Sequence, residues 1–486
     1  MIRSIKAAQR LDSRGHPTVQ VDLTTDKGTF RATVPSGAAT GTNEAIELRD
    51  KDNSAYSGKG AQKAVSNIEL VIGPALVQSG LKVDTNQKMI DSFLNNLDGT
   101  HNKSKLGANA ILGVSMACAR AGAAHLDIPL YEFLRRESGA KRPFVMPVPF
   151  FTVLNGGVNS SNKMAFQETM IAPVGASSYT EAVQMGSEVY QQLKKVIVKK
   201  FGPSATGVGD EGGFVPPISQ PNEALDLLVE AVSLAGYTGR IKFAIDPASS
   251  EFSSYGNYEP NLQRPSGNYE PNSQQRPSGN YEPNLQQRPS GNYEPNLQSP
   301  KQLAELSRSH FSYGNYEPNF QSPKQLAELY RSLLQNYPIV LLENPFAETD
   351  WDSWIEFNKN CPVELVWGDL LVTDTKYVQQ ANDKRACNSM LLKINQMGTI
   401  SEAIEAANLA YSFNWSVFVS RRSGETTDDF IADLVVGLRT GHIKPGAPCR
   451  GERVVKDNRL MEIEAELLAR EECIYAGSQF RVASKC

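Results

Sequence analysis

The sequence predicts an α/β protein in which a smaller N-terminal region of strands and then helices precedes a closed barrel of alternating strands and helices. Three observations point to this class. After Pro143, short apolar runs recur and each stops on a polar or charged residue: FTVLN at Asn155, FAID at Asp246, IVLLE at Glu343, ELVWGD at Asp369, MLLK at Lys393 and VFVS at Ser420. The last four endpoints are 26, 24 and 27 residues apart, the length of one strand, one helix and two loops. Helix-like stretches such as TISEAIEAANLAYSF, from Thr399, fill the gaps. Nearly continuous apolar strands imply a parallel sheet covered on both faces. Six or more such units favour a closed barrel, whose active site lies at the C-terminal ends of its strands. An open doubly wound sheet is the alternative, but no GxGxxG follows an early strand.

The elements follow in order. VQVDLTTD alternates from Val19, as a half-buried strand does, and GTFRATV resumes the pattern after the turn residues Asp26, Lys27 and Gly28. SGAATG, Ser36 to Gly41, is a run of small residues suited to a mobile loop. Ala61 to Ile72 has helical periodicity, which Gly73–Pro74 is expected to end. Gly107 to Ala124 is an alanine-rich helix, and the proline-broken PFVMPVPFF from Pro143 reads as a link into the second domain. One stretch breaks the rhythm. Asp246 and Glu343 are 97 residues apart, far too long for one strand–helix unit. GNYEPN occurs there at Gly256, Gly267, Gly279, Gly291 and Gly314, and SPKQLAEL at Ser299 and Ser322. A unit of about a dozen residues is too short for a helical solenoid. Rich in Pro, Gly, Asn, Gln and Ser, it cannot bury enough apolar surface to fold. Residues 253–313 therefore read as a duplicated, mostly disordered surface loop, or as a tyrosine-bearing tract that docks a protein partner. The second SPKQLAEL leads into LYRSLLQNYP and starts a true helix.

Composition narrows the function classes. The 486 residues are 40% hydrophobic and 21% charged, so a sizeable core can form. A net charge of −4 argues against a nucleic-acid-binding face. No apolar run reaches membrane-spanning length, and MIRSIKAAQRLDSRG has no signal-peptide core, so a cytoplasmic location is expected. The six cysteines are scattered without a CxxC pair, and no two of the five histidines stand at ligand spacing, which argues against disulfides and a zinc site.

Asp246, Glu343 and Asp369 each end an apolar run. Singly, such an acid reads as an ordinary strand end or helix cap. Three at consecutive strand ends would crowd one barrel rim and repel, so a divalent cation is their natural partner, and all-oxygen ligation selects a hard ion such as Mg²⁺. Lys393, at the end of the next run, would be partly desolvated, which lowers its pKa and makes it a usable base; the plainer reading is a snorkelling surface lysine. Ser420, Arg421, Arg422 and Ser423 beside Gly424 suit a phosphate or else form a solvated turn, and Lys444 could add a cation. Glu168 in FQETM and Asp210–Glu211 in VGDEGG add acids. The glycines around Glu211 allow a tight turn that presents it inward, where it could act as general acid; alone, it reads equally well as a solvated loop acid.

DSRGHPT, VPSGAATG, NKSKLGANAILGVS, QETMIAP, VGDEGGF, ASSEF, LLKINQMGTISEAI, RRSGETTDDFIADLVVGLRTGHIKPGAP and GERVVKDNRLMEIEAEL closely resemble enolases, in the same order from about residue 3 to 480 apart from the repeats. A lysine base, carboxylate-held Mg²⁺ and a glutamate acid are what the resemblance implies for the site. The resemblance implies an N-terminal α+β domain (1–140), an eight-strand βα barrel (141–486) and, usually, a homodimer. It implies dehydration of a phosphorylated hydroxy acid, 2-phospho-D-glycerate, to phosphoenolpyruvate. Lys393 resembles the base and Glu211 the acid, assisted by Glu168. Asp246, Glu343 and Asp369 look like the ligands of the tight metal. Arg422, with Ser423, Lys444 and Asn159, looks like the substrate-binding set.

The departures matter. Enolases carry a metal-binding serine at the position of Ala39 and a histidine at that of Asn43. They carry histidines where this chain has Asn159 and Arg421. Their GDDL reads here Gly368–Asp369–Leu370, one Asp short, and EDPF reads Glu343–Asn344–Pro345–Phe346. The charged skeleton survives while lid and second-metal groups are lost. Losing one positioning histidine costs on the order of 10²-fold. Two readings follow: an enolase with weakened turnover, or a catalytically silent enolase-like protein with a structural or partner-binding role.

Overall fold

The alternating N-terminal segment forms a three-stranded antiparallel meander, β1 (Ile2–Leu11), β2 (Pro17–Thr25) and β3 (Gly28–Thr33), in the order β1-β2-β3. The structure, a computed structural model, describes residues 1–37, 41–84, 87–254, 256–260 and 321–485, and of Asn159 only the backbone. Val19, Val21 and Leu23 of β2 are fully buried, each contributing about 1.5–3 kcal/mol by leaving water. The expected alanine-rich helix runs Ala108–His125 and covers this sheet. A Cβ on Gly113 would lie 2.7 Å from Val21 Cγ2, so only a residue without one lets helix and sheet approach this closely.

The segment from Ala61 departs from expectation. Helix Gln62–Asn67 widens into a π turn, Ile68–Ile72, and the chain stays helical over Gly73–Ser79. Gly73–Pro74 does not stop it, because Pro74 falls in the first turn of the new helix, where its missing N–H is not needed. The proline-rich link is also more ordered than its composition suggests. It forms β4 (Phe144–Met146) and enters β5 (Val148–Asn155) directly.

The barrel continues with β6 (Glu168–Ala172) and β7 (Lys242–Asp246), then a small hairpin of β8 (Ser253–Ser254) and β9 (Asn257–Tyr258) outside it. Its remaining strands are β10 (Ile339–Glu343), β11 (Glu364–Trp367), β12 (Ser389–Leu392), β13 (Ser416–Ser420) and β14 (His442–Gly446); β15 (Cys473–Tyr475) pairs with β4. The closed order is β5-β6-β7-β10-β11-β12-β13-β14. The sheet is not wholly parallel: β6 runs antiparallel to both neighbours. Two strands carry little sequence signal. ETMIA of β6 is five residues, and HIKPG of β14 contains Pro and Gly, which strands usually avoid.

The N-terminal mouth of the barrel is closed by a buried polar knot. Glu364, Ser389, Ser416 and His442 are the first residues of β11, β12, β13 and β14. Glu364 Oε1 accepts from Ser389 Oγ (2.6 Å), Ser416 Oγ (2.6 Å) and His442 Nε2 (2.9 Å). Phe418 stacks on the His442 ring at 4.7 Å. This floor tethers four strands and leaves chemistry to the opposite rim.

The first GNYEPN copy is described as far as Pro260. Tyr258 is buried, its hydroxyl donates to Asp350 Oδ2 (2.7 Å) and accepts from Ala347 N (3.0 Å), and its backbone pairs with Gln321. The second SPKQLAEL copy does start a helix, Pro323–Asn336, capped by Ser322 and Gln325. The copies at Gly267, Gly279, Gly291, Gly314 and Ser299 lie outside the described residues, as does Ala39.

Candidate active site

The C-terminal rim gathers the residues singled out in the sequence. Asp246 and Glu343 end β7 and β10, Lys393 follows β12, and Asp369 lies two residues beyond β11. Glu168 begins β6; because that strand is reversed, its first residue reaches the same rim, paired in register with Asn155 and Asp246.

Lys444 Nζ, in β14, lies at the centre of the acids: 2.8 Å from Glu343 Oε2, 2.9 Å from Asp246 Oδ2 and 3.1 Å from Glu168 Oε1. Burial would lower this ammonium, but Asp246, Glu168 and Glu343 together hold it well above the usual lysine range. Burial opposes ionisation of Glu168 as well, yet Arg421 and Lys444 bring it down to about 2. Burial and the charge of Glu343 push Asp246 up to about 8. Asp369 rises to about 7, mainly through burial, against the pull of Lys393. The Lys393 amine is pushed down by burial and by the charge of Arg422, in the direction a base requires.

Glu211 is presented by a tight loop. Gly212 has φ +87°, and a Cβ there would come within 2.8 Å of Ala447 Cβ. Ala447 N donates to Glu211 O (2.9 Å), which fixes the loop against β14. The carboxylate meets Arg421, whose Nε is 2.5 Å from Glu211 Oε2 and whose Nη2 is 2.5 Å from Glu168 Oε2. Arg453 Nη1 stands 3.7 Å from the same Glu211 oxygen. Burial raises the Glu211 carboxyl, and Arg421 opposes that rise.

Arg422 is turned toward the N-terminal region, its Nη1 3.3 Å from both Glu44 oxygens. Ser423 sits beside it, its carbonyl accepting from Arg453 Nη2 (2.7 Å). Asn159 closes a short turn, Gly157–Asn159, and its side chain lies outside the described part.

Asp246, Glu343 and Asp369 were expected to share a cation. As arranged, no three His, Cys, Asp or Glu side chains among the described residues stand at metal-ligating spacing. Lys444 lies between two of the trio, and Asn344 Nδ2 holds Asp369 Oδ1 at 3.2 Å. The donor set still fits a hard divalent ion: it is all carboxylate, and Glu343 Oε1 is buried without a hydrogen-bond partner.

Arg421, offered by the sequence as a phosphate cation, instead meets Glu168 and Glu211; Arg453 was left out of the site, and Asn344's role was not found. Arg453 lies in helix Gly451–Leu468, fully buried, and nothing local separates it from a surface arginine. Asn344, at φ +45°, receives Gly368 N (2.8 Å) and Asp369 N (3.3 Å) on Oδ1; its place directly after Glu343 was the available signal.

A family model described as the enolase N-terminal domain matches residues 2–134. Another, described as the enolase C-terminal TIM barrel domain, matches residues 143–283 and 309–484. No helix among the described residues is long and apolar enough to cross a membrane. The barrel, its rim of acids and lysines, and these two matches together establish that the chain belongs to the enolase family of lyases.

Proposed function

We propose that this chain removes water from 2-phospho-D-glycerate to give phosphoenolpyruvate, the enolase step of glycolysis, with turnover reduced by its departures from the family pattern. The observation that carries the reading is Lys393: it follows a barrel strand at the acid-lined rim, and burial and Arg422 push its amine down. In this scheme Lys393 Nζ takes the proton from the carbon next to the carboxylate. Glu211 returns a proton to the departing hydroxyl, and Glu168 holds Lys444 and Arg421 in place beside it. Arg422, with Ser423 and Asn159, receives the phosphate once its guanidinium leaves Glu44. Asp246, Glu343 and Asp369 would hold Mg²⁺, which supplies positive charge for the substrate carboxylate when bound. Residues 1–140 and 141–486 are the two domains of this scheme. The protein acts as a cytoplasmic homodimer, and the repeat tract is the segment for any protein partner.

Arg421 favours the second reading, a catalytically silent enolase-like protein, because its guanidinium meets both Glu168 and Glu211. Steady-state formation of phosphoenolpyruvate in Mg²⁺ separates the two. Turnover above a Lys393→Ala control supports the lyase; turnover equal to that control supports the silent protein.

A further inference from the structure

Arg421 follows β13 and is 3% exposed. One face of its guanidinium meets Glu168, which also accepts from Thr152 Oγ1 (2.7 Å) and lies 3.1 Å from Lys444 Nζ. Its Nε meets Glu211. Behind Glu211, Arg453 is itself fixed by donating to the carbonyls of Arg422 (2.7 Å), Ser423 (2.7 Å) and Asp210 (2.8 Å). Glu211 thus lies between two guanidinium groups, each tied to a second partner. A guanidinium keeps its charge at neutral pH, so the Glu211 oxygen facing Arg421 is held beside a permanent cation that favours its carboxylate form. Lys393 follows a different strand, β12, and burial and Arg422 disfavour its charged form against the pull of Glu343 and Asp369.

We infer that Arg421 is a positioning residue that separates the two halves of the reaction: Lys393 still removes the proton from carbon, while delivery of a proton from Glu211 to the leaving hydroxyl is the impeded step. This rests on the substrate reading above. In the first half the Lys393 lone pair takes the C–H proton, and the electron pair moves onto the substrate carboxylate. The ammonium exchanges its proton with solvent and returns one to carbon, regenerating the substrate. No C–O bond breaks and nothing is oxidised or reduced. In the second half the C–O bond breaks, the hydroxyl leaves as water with the Glu211 proton, and Glu211 is reprotonated by solvent.

The test incubates the full chain with 2-phospho-D-glycerate and Mg²⁺ in D₂O. Proton NMR follows deuterium entering carbon 2, and phosphorus NMR follows phosphoenolpyruvate. A positioned general acid contributes 10²–10⁴-fold, so exchange is expected to outrun elimination by on the order of 10²-fold. Arg421→His and Arg421→Gln are expected to reduce that ratio about tenfold or more, whereas general structural damage lowers both rates and leaves the ratio alone. Elimination as fast as exchange in the native chain overturns the inference and leaves the substrate reading standing. Exchange no faster than in Lys393→Ala overturns both. A ratio unmoved in both Arg421 variants overturns the assignment to Arg421, and should either variant fail to fold, the native ratio still decides.

Discussion

Replacing Lys444 with methionine keeps an unbranched stem as far as Cε and removes the one ammonium lying within 3.1 Å of Glu168, Asp246 and Glu343. The three acids are not left equally exposed. Glu168 keeps Arg421 and Thr152, and Asp246 keeps the amide of Ala248 at 2.9 Å. Glu343 Oε2 loses the Lys444 hydrogen bond, and Oε1 already has none. Breaking a buried pair in this way costs about 3–5 kcal/mol, because a buried charge is left uncompensated. The variant has one escape. Burial and Glu343 already hold Asp246 near 8 against the pull of Lys444, so without that lysine it takes up a proton above pH 8 and relieves the repulsion. The loss should therefore grow with rising pH above 8 and shrink as the pH falls toward it. Urea unfolding is the assay, because guanidinium chloride would screen the charges. All four tryptophans, at 351, 354, 367 and 415, lie in the barrel segment, so their fluorescence reports that segment. Mg²⁺ adds a second arm: an ion held by these acids at a hundred times its Kd restores about 2.7 kcal/mol. A Lys444→Met chain within about 1 kcal/mol of the native protein across about pH 8.5–10 without Mg²⁺ would refute the charge balance drawn here.

Three further outcomes are expected. Glu364→Ala strips the barrel floor of the acceptor shared by Ser389, Ser416 and His442, and should cost about 3–5 kcal/mol in the same urea assay without changing substrate KM. Burial raises Asp457 to about 7, so the folded state binds a proton that the unfolded state has released between about pH 4 and 7. The Asp457 contribution to stability should therefore be full below pH 4 and fall by up to about 1.4 kcal/mol per pH unit across that window, a slope that Asp457→Asn should lose. Joining Pro260 to Gln321 through a short glycine linker should preserve the circular dichroism spectrum and the melting temperature within a few degrees, because the backbones of Tyr258 and Gln321 already bond at 2.8 and 2.6 Å. A collapsed melting temperature would show that residues 261–320 support the barrel.

Much of the rim could be read in advance because its strands are short, apolar and end abruptly on charge. Asp246, Glu343, Lys393 and Ser420 mark strand ends for that reason, and all lie at one mouth of the barrel. β6 and β14 escaped the same logic. The first is short and reversed; the second is punctuated by Pro445 and Gly446 and buries Lys444 in mid-strand. Gly73–Pro74 looks like a stop, yet Pro is welcome in a first helical turn, and only the backbone says which role it has. Tyr258 sits in a repeat whose copies are identical in sequence, so composition cannot tell that this copy packs against Phe252 and Phe346. The ion pairs of Arg421 and Arg453 with Glu211 join residues more than 200 positions apart, a separation over which local pattern carries no information.

That Lys393 removes a proton from carbon is tested most directly by deuterium incorporation at carbon 2 of 2-phospho-D-glycerate, followed by NMR for the native chain and for Lys393→Ala side by side. The native chain should label the recovered substrate and the Lys393→Ala chain should not. Equal labelling by both, or none by either, would contradict the assignment of the rim as an enolase-type site.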